Sequence, residues 1–135
     1  MKPSTIIVGR RGEDAAAERL RQLGHIIVER NWRCSHLEVD IITIAPDGMH
    51  FVEVKTRTAP APAAPELNVN YKKQRNIINA ARRYVYGPGR KFWSTPSPNS
   101  KPEPPEIFFD IVSAEIFPDR IETVYFPKAY LPWYI

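Results

Sequence analysis

The segment LEVDIITIAPDGMHFVEVKT, residues 37–56, contains two strand-like runs separated by a turn. Both runs, 37–44 and 49–56, are short and rich in β-branched residues, and the PDG sequence at 46–48 favours a tight turn. We therefore expect two neighbouring antiparallel strands. The first run is almost continuously apolar, which is typical of a strand covered on both faces. The sheet is thus expected to lie inside the protein, between other layers.

The rest of the chain adds helices and strands around this pair. Apolar residues recur at helical spacing in two places, and further β-rich runs come before and after them. The predicted order is a helix (11–24), three strands (26–32, 37–44, 49–56), a helix (69–86) and two strands (107–114, 121–126). This order predicts an α/β sandwich with a central mixed sheet of about five strands and a helix on each face. At 135 residues the chain is expected to form a single domain.

Two proline-rich segments interrupt this order. Residues 58–66 are a Pro/Ala linker that is expected to form a mobile loop beside the third strand. Residues 87–105 hold six of the 14 prolines and almost no apolar periodicity, so they are predicted to be a long irregular insertion on the surface. Trp93 in this insertion could stack on a nucleic-acid base or pack on its own domain.

Composition excludes several classes of protein. A hydrophobic content of 43% with 11% aromatic residues is enough for a real core, which argues against intrinsic disorder. No run approaches the roughly 20 apolar residues of a membrane span, and the N-terminal apolar run is too short for a secretory signal. A cytoplasmic protein is therefore expected. The lone Cys34 has no partner for a disulfide, and His25, His36 and His50 lack metal-ligand spacing and are expected at strand ends.

Acidic residues within the apolar strands are the main candidates for chemistry. Glu38 and Asp40 are two residues apart in one predicted strand, which would place them on the same face, and Glu53 lies in the next strand. The turn between the strands is expected to bring Asp40 and Glu53 close together. Two half-buried carboxylates repel each other unless a cation lies between them. Mg²⁺, or Mn²⁺ in its place, is the predicted ion because hard divalent cations bind carboxylate oxygens.

Two neighbours of Glu53 are expected to complete this site. The Val54 carbonyl oxygen is a predicted further ligand of the ion. Lys55 lies on the same strand face as Glu53, where its ammonium group could polarise the attacking water and neutralise charge on a phosphate. Lys55 could instead pair with Glu53 or Asp40 in a salt bridge, which is common on half-exposed strands.

The predicted helices contribute polar residues to the same region. Glu13 is in phase with the apolar stripe of the first helix, so it is expected to face inward. It could equally be a partner of the helix dipole in the first turn. In the second helix Lys73 and Gln74 are in phase with the apolar stripe and are expected to reach the site.

Positive charge is concentrated in one segment of the chain. Residues 68–91 contain seven basic residues and no acidic one, whereas the rest of the chain is net negative. A basic stripe suits a polyanion, because phosphate contacts release condensed counterions. It could also be a solvated helix face. The predicted nucleic-acid-binding residues are Lys72, Lys73, Gln74, Arg75, Arg82 and Arg83.

Several of these motifs together resemble the YraN family of small bacterial proteins, over about residues 9–130. The matching runs are Gly12-Glu13, Glu38-Val39-Asp40-Ile41-Ile42, Phe51-Val52-Glu53-Val54-Lys55-Thr56-Arg57, Lys73-Gln74-Arg75 and Phe109-Asp110-Ile111-Val112. That family belongs to the PD-(D/E)XK nuclease superfamily and is similar in plan to archaeal Holliday-junction resolvases. The resemblance implies a restriction endonuclease-like three-layer sandwich, and it matches Glu13, Asp40, Glu53 and Lys55 to metal and catalytic positions. The sequence departs from the family pattern at Leu37, where glycine is usual, and in the Pro-rich insertion.

Three functions are compatible with the sequence. The first is a Mg²⁺-dependent nuclease that cleaves DNA, with branched or recombination intermediates as candidate substrates. The second is a non-catalytic nucleic-acid-binding module that retains the nuclease fold. The third is an interaction protein that uses the aromatic tail 130–135, which could form a homodimer contact or pack back on the domain.

Overall fold

The structure is a computed structural model that describes residues 5–60, 69–94, 99 and 101–131. Two long helices and five strands make up most of the described part of the chain. They are α1 (Thr5–Gln22), β1 (Ile26–Cys34), β2 (Leu37–Ala45), β3 (Gly48–Thr58), α2 (Tyr71–Val85), β4 (Ile107–Ile116) and β5 (Ile121–Tyr130), with a short 3-10 helix at Pro88–Phe92. Each predicted helix and strand is present, and the strands extend slightly beyond their predicted ends.

The five strands form one mixed sheet in the order β1-β2-β3-β4-β5. The first three strands are an antiparallel meander, β3 and β4 run parallel, and β5 is antiparallel to β4. A parallel pair requires a crossover connection, and α2 lies in that connection. The two helices pack on the sheet through separate apolar clusters. This arrangement is the three-layer, restriction endonuclease-like sandwich that the sequence predicts.

The α1 helix packs on the sheet through small residues. Its packing residues include the small side chains of Ala16 and Ala17, which contact apolar side chains of β2, β3 and β4. At Gly12 a Cβ atom would lie only 2.1 Å from the Thr56 Oγ1 atom, so any larger residue would clash. This close approach holds α1 against the strand that carries Glu53, at the residue just before Glu13.

The N-terminal half of α1 is longer than the sequence predicts. The helix begins at Thr5, well before the predicted start at residue 11. Ile6 and Ile7 are exposed, so this half has no buried apolar stripe, and Gly9 lowers its helix propensity. Neither α1 nor any other helix of the described residues is both long and apolar enough to cross a membrane.

The structure corrects part of the prediction of an irregular insertion over 87–105: residues 101–105 are irregular and mostly exposed, as predicted, but the start of the insertion is ordered. Its first part forms the 3-10 helix, in which Gly89 is buried. The Trp93 indole Nε1 donates a hydrogen bond to the Val85 carbonyl oxygen at 2.9 Å, and the ring packs on the α2 cluster of the same domain. The sequence did not predict this helix, because a helix of five residues held by a single aromatic ring is too short to produce a periodic pattern of apolar residues. The ranges 61–68, 95–98 and 132–135 lie outside the described residues, and with them most of the predicted linker and of the aromatic tail.

Candidate metal and nucleic-acid site

Asp40 lies where the hydrogen-bonded ladder between β2 and β3 ends. The last residues paired on this side are Ile41 and Val52, and beyond them the Val54 N–H donates to the Asp40 Oδ2 atom at 2.8 Å. If the ladder continued, the Val54 N–H would donate to a backbone carbonyl oxygen of β2. Here it donates to the Asp40 carboxylate instead. The two strands separate at this point, and the Asp40 carboxylate lies between them.

The alternation of side chains along β2 breaks next to Asp40. Val39 and Ile42 both belong to the α2 cluster, although they are three residues apart, and Ile41 belongs to the α1 cluster. Regular alternation would place Val39 and Ile42 on opposite faces. Strict alternation, from which Glu38 and Asp40 were assigned to one face, therefore does not describe this part of β2. Glu38 and Asp40 nevertheless line the same cleft, which lies between the sheet and α2.

Glu53 is buried in this cleft and only half satisfied. Its side chain is 6% exposed, and its Oε1 atom forms an ion pair with the Lys73 Nζ atom of α2. Its Oε2 atom is buried and has no hydrogen-bond partner among the described residues. A buried carboxylate oxygen without a partner is costly, so Glu53 can still accept from a further donor or bind a cation. The position of Lys73 agrees with its phase in the second helix.

Asp40 and Glu53 share one small cleft between the sheet and α2. Its volume is about 130 Å³, and its lining residues are Glu38, Val39, Asp40, Val52, Glu53, Lys73 and Ile77. Carboxylates outnumber ammonium groups in this lining, so the cleft is net negative. Because liquid water occupies about 30 Å³ per molecule, the volume suits an ion with a few waters rather than a nucleotide.

Burial, together with the excess negative charge of the cleft, raises the pKa of Asp40. Burial raises the pKa of Asp40 to about 6, and the charges of Glu13 and Glu53 act in the same direction. The Val54 hydrogen bond and the Lys73 ammonium group lower this pKa without offsetting burial. A further cation in the cleft would therefore stabilise the ionised form of Asp40.

Glu13 is held by two residues of β1. Its Oε1 atom accepts hydrogen bonds from Arg30 Nε at 3.2 Å, from Arg30 Nη2 at 3.1 Å and from Asn31 Nδ2 at 2.8 Å. Asn31 has a φ of 52°, in the left-handed region where asparagine is favoured among non-glycine residues. This conformation lets Arg30 and Asn31, which are adjacent in the sequence, both reach the same carboxylate.

The three predicted carboxylate ligands are not all brought to one point. Among the described residues, no group of three or more His, Cys, Asp or Glu side chains is placed to hold a metal ion. Asp40 and Glu53 line one cleft, and Glu13 lies outside that lining, although its charge raises the pKa of Asp40 more than the charge of Glu53 does. Val54 contacts the site through its N–H, and Lys55 is half-buried on β3. The metal-ligand role of the Val54 carbonyl and the catalytic role of Lys55 stay predictions.

Lys73 joins this cleft to α2, whose exposed surface carries further basic residues. They are Lys72, Arg75, Arg82 and Arg83, and we call them the α2 basic face. The helix starts at an Asn70 cap, whose side-chain oxygen accepts from the Lys73 N–H at 2.8 Å. Gln74 differs from the prediction, because its Nε2 atom donates to the Val69 carbonyl oxygen at 2.8 Å and does not line the cleft. Gln74 therefore stabilises the start of α2.

Sequence reasoning missed a buried polar network between β3, β4 and β5. The His50 Nδ1 atom lies 2.6 Å from Asp110 Oδ2, and the His50 Nε2 atom lies 2.7 Å from Asp47 Oδ1. The Tyr125 hydroxyl donates to the same Asp110 oxygen. His25, the other buried histidine, lies next to the His50 ring. The available signal was that His50 and Asp110 each interrupt an apolar run.

The model of the family described as "Uncharacterised protein family UPF0102" matches residues 12–114. The matched range includes Glu13, Asp40, Glu53, Lys55 and the whole of α2.

Relatives of this chain carry the family name as well. A UPF0102 protein of Nitratidesulfovibrio vulgaris (strain DP4) is 44% identical over 77 residues, which cover 57% of this chain and 58% of that protein. A UPF0102 protein of Clostridium perfringens (strain ATCC 13124) is 40% identical over 86 residues, which cover 64% of this chain and 70% of that protein. The match to the Nitratidesulfovibrio protein thus spans less than two thirds of its length. By its family match, this chain belongs to UPF0102, the YraN family that its motifs resemble.

Proposed function

We propose that this chain is a divalent-metal-dependent nuclease that cleaves DNA phosphodiesters in the cytoplasm, with branched or repair intermediates among its substrates. The observation that carries the proposal is the pair of Asp40 and Glu53 in one cleft, with the Glu53 Oε2 atom buried and without a partner. Two carboxylates short of positive charge are what a hard divalent cation requires.

Asp40 and Glu53 fit Mg²⁺ or Mn²⁺ as ligands. Mg²⁺ commonly takes one or two protein carboxylates and keeps several waters, which agrees with the size of the cleft. A bound cation would supply an activated water and neutralise charge on the phosphate. Glu13 and the Val54 carbonyl oxygen are further proposed ligands.

Two lysines have separate roles in this proposal. Lys55, two residues after Glu53 on β3, would stabilise negative charge that develops on the phosphate. Lys73 neutralises one oxygen of Glu53, and a divalent cation that shares Glu53 would release Lys73 for a phosphate contact. The α2 basic face would hold the flanking phosphates of the DNA.

Nicking of DNA is the direct test. Linear, flapped and four-way DNA are incubated with the protein in Mg²⁺, in Mn²⁺ and in chelator. We expect cleavage that requires a metal ion and that is lost in Asp40→Asn and Glu53→Gln. Glu38→Gln is the matched control, because it removes a carboxylate of the same cleft that is not among the proposed ligands. Absence of cleavage with either ion on every substrate would contradict the proposal.

The ion pair between Lys73 and Glu53 favours a second candidate, a nucleic-acid-binding module without catalysis. A lysine that neutralises Glu53 allows the fold to exist without a metal ion. Lys73→Met separates the two candidates. In a nuclease, Mg²⁺ or Mn²⁺ should raise the melting temperature of this variant more than that of the wild type. The reason is that Lys73 no longer competes with the metal ion for the Glu53 carboxylate. In a binding module neither ion should raise either melting temperature, while DNA binding persists.

A further inference from the structure

A second and larger concavity opens between the first half of α1 and β1, and we call it the α1 groove. Its volume is about 630 Å³, compared with about 130 Å³ for the carboxylate cleft. Its lining residues are Ile6, Gly9, Arg10, Glu13, Asp14, Arg30, Asn31 and Arg33. Concavities of this size hold molecular groups rather than single ions.

The α1 groove has an excess of guanidinium groups. Both carboxylates that line it are bonded by Arg30, at 3.1 and 2.6 Å. Arg10 has no ion-pair or hydrogen-bond partner among the described residues. Arg33 contacts Glu38 at 3.7 Å, and both side chains are exposed. The groove therefore offers two guanidinium groups, those of Arg10 and Arg33, to an anion from solution.

Glu13 connects the α1 groove to the carboxylate cleft. Its side chain lines the groove, and its charge acts on Asp40 in the cleft. The groove thus lies on the α1 side of Asp40, whereas the α2 basic face belongs to the opposite layer of the sandwich. A nucleic-acid strand that passes Asp40 and Glu53 would reach the α1 groove on one side and the α2 basic face on the other.

We propose that the α1 groove binds the sugar-phosphate backbone of the nucleic acid, so that the substrate is held on both sides of Asp40 and Glu53; this inference rests on the proposed function. Arg10 and Arg33 contact phosphates, because a guanidinium group forms paired hydrogen bonds with phosphate oxygens. Arg30 is a positioning residue that holds Glu13. Ile6, which is 76% exposed in the groove lining, offers an apolar contact to a sugar or base.

The test is the salt dependence of binding to labelled duplex DNA of mixed sequence, measured in chelator so that no cleavage occurs. We expect Arg10→Ala/Arg33→Ala to bind more weakly at every salt concentration. The slope of log affinity against log salt should fall by about 2, one for each phosphate that the variant no longer binds. Arg19→Ala/Arg21→Ala is the matched control, because it removes two exposed charges from the far end of α1. Melting temperatures verify that each variant is folded.

The outcomes separate this inference from the proposed function. An unchanged slope in the groove variant, or an equal loss in the control, would overturn the α1 groove as a contact surface. The same measurement is made on Arg82→Ala/Arg83→Ala, which removes two charges from the α2 basic face. If only this α2 variant weakens binding, the α1 groove is wrong and the proposed function stands. If neither the wild type nor any variant binds the duplex, the proposed nucleic-acid function is wrong as well.

Discussion

The Asp40 carboxylate accepts one hydrogen bond, from the Val54 N–H, and lies near the charges of Glu13 and Glu53. Burial raises its pKa to about 6, so at neutral pH the folded chain carries a charge that its surroundings disfavour. Such a residue costs folding free energy when no cation is bound. An ionised Asp40 would therefore contribute to binding a cation and not to the stability of the fold.

Asp40→Asn is expected to stabilise the protein in chelator at about pH 8, by on the order of 2 kcal/mol. The amide oxygen can still accept from Val54, while the buried charge is gone. Because the pKa is raised in the folded state, wild-type stability recovers as the pH falls through about 6 toward the ordinary value of 3.8. The advantage of the variant should therefore disappear at about pH 4. Urea unfolding at the two pH values measures this difference.

The matched control for this prediction is Glu38→Gln, which removes an exposed carboxylate from the same cleft and should change stability little. Adding Mg²⁺ or Mn²⁺ should stabilise the wild type more than Asp40→Asn, because a neutral amide is a weaker ligand than a carboxylate. A variant that is less stable than the wild type at both pH values in chelator would mean that Asp40 is held by a stabilising positive partner.

Among the elements, β3 is tied to its neighbours by His50, which bonds Asp110 in β4 and Asp47 in the turn between β2 and β3. Burial lowers the pKa of His50, but the hydrogen bonds to Asp110 and Asp47 outweigh burial and leave the pKa above its usual value. Burial and the nearby His50 leave the pKa of His25 lowered. His50 is therefore the ring of this pair that takes up a proton.

His50→Gln is expected to lose more stability, relative to the wild type, at about pH 6 than at about pH 9. A pKa that is raised on folding contributes stability that is complete below the ordinary value of 6.5 and is lost as the pH rises through the folded value. Denaturant unfolding at the two pH values measures this, with His36→Gln as the control at an exposed histidine. Equal losses at both pH values would show that His50 acts through neutral hydrogen bonds and shape alone.

The elements could be predicted from local patterns, but several contacts of the site could not. The PDG turn at 46–48 is a local signal, and the pairing that it implies brings Asp40 and Glu53 into one cleft. The hydrogen bonds from Arg30 and Asn31 to Glu13 join β1 to α1, and no repeating pattern in the sequence relates these two segments. His50 and Asp110 are likewise 60 residues apart. Pairings of this kind depend on how whole elements pack, so only the structure reveals them.

The 3-10 helix after α2 is expected to contribute to stability through Trp93. Trp93→Ala should cost about 2 kcal/mol, because it removes a half-buried ring and the hydrogen bond to the Val85 carbonyl. Phe92→Ala is the matched control at an adjacent ring that is 40% exposed, and it should cost less than about 1 kcal/mol. Chemical denaturation of the three proteins measures the costs. Equal costs would mean that the indole does not anchor this segment.

In the whole molecule, charge is divided between a basic helix and a more acidic remainder. The formal net charge is +4, and residues 68–91 alone carry +7, which leaves −3 for the rest of the chain. The acidic cleft lies directly against α2, where Lys73 meets Glu53. We expect a polyanion on the α2 basic face to lie on the same helix that contributes Lys73 to the cleft, where the charges of Asp40 and Glu53 repel it unless a cation is bound. Metal and nucleic acid should accordingly favour each other's binding.

The α2 basic face is expected to dominate this attraction. Replacing Arg75, Arg82 and Arg83 by alanine should weaken DNA binding equally on all sequences, because phosphate contacts carry no base information. The slope of log affinity against log salt should fall by about 2 to 3. The control triple variant replaces Arg19, Arg21 and Arg120, which are exposed arginines outside α2, and so removes the same charge. Titrations of labelled duplex DNA at several salt concentrations compare the two. If the two triple variants lose affinity equally, net charge accounts for binding and α2 is not its specific surface.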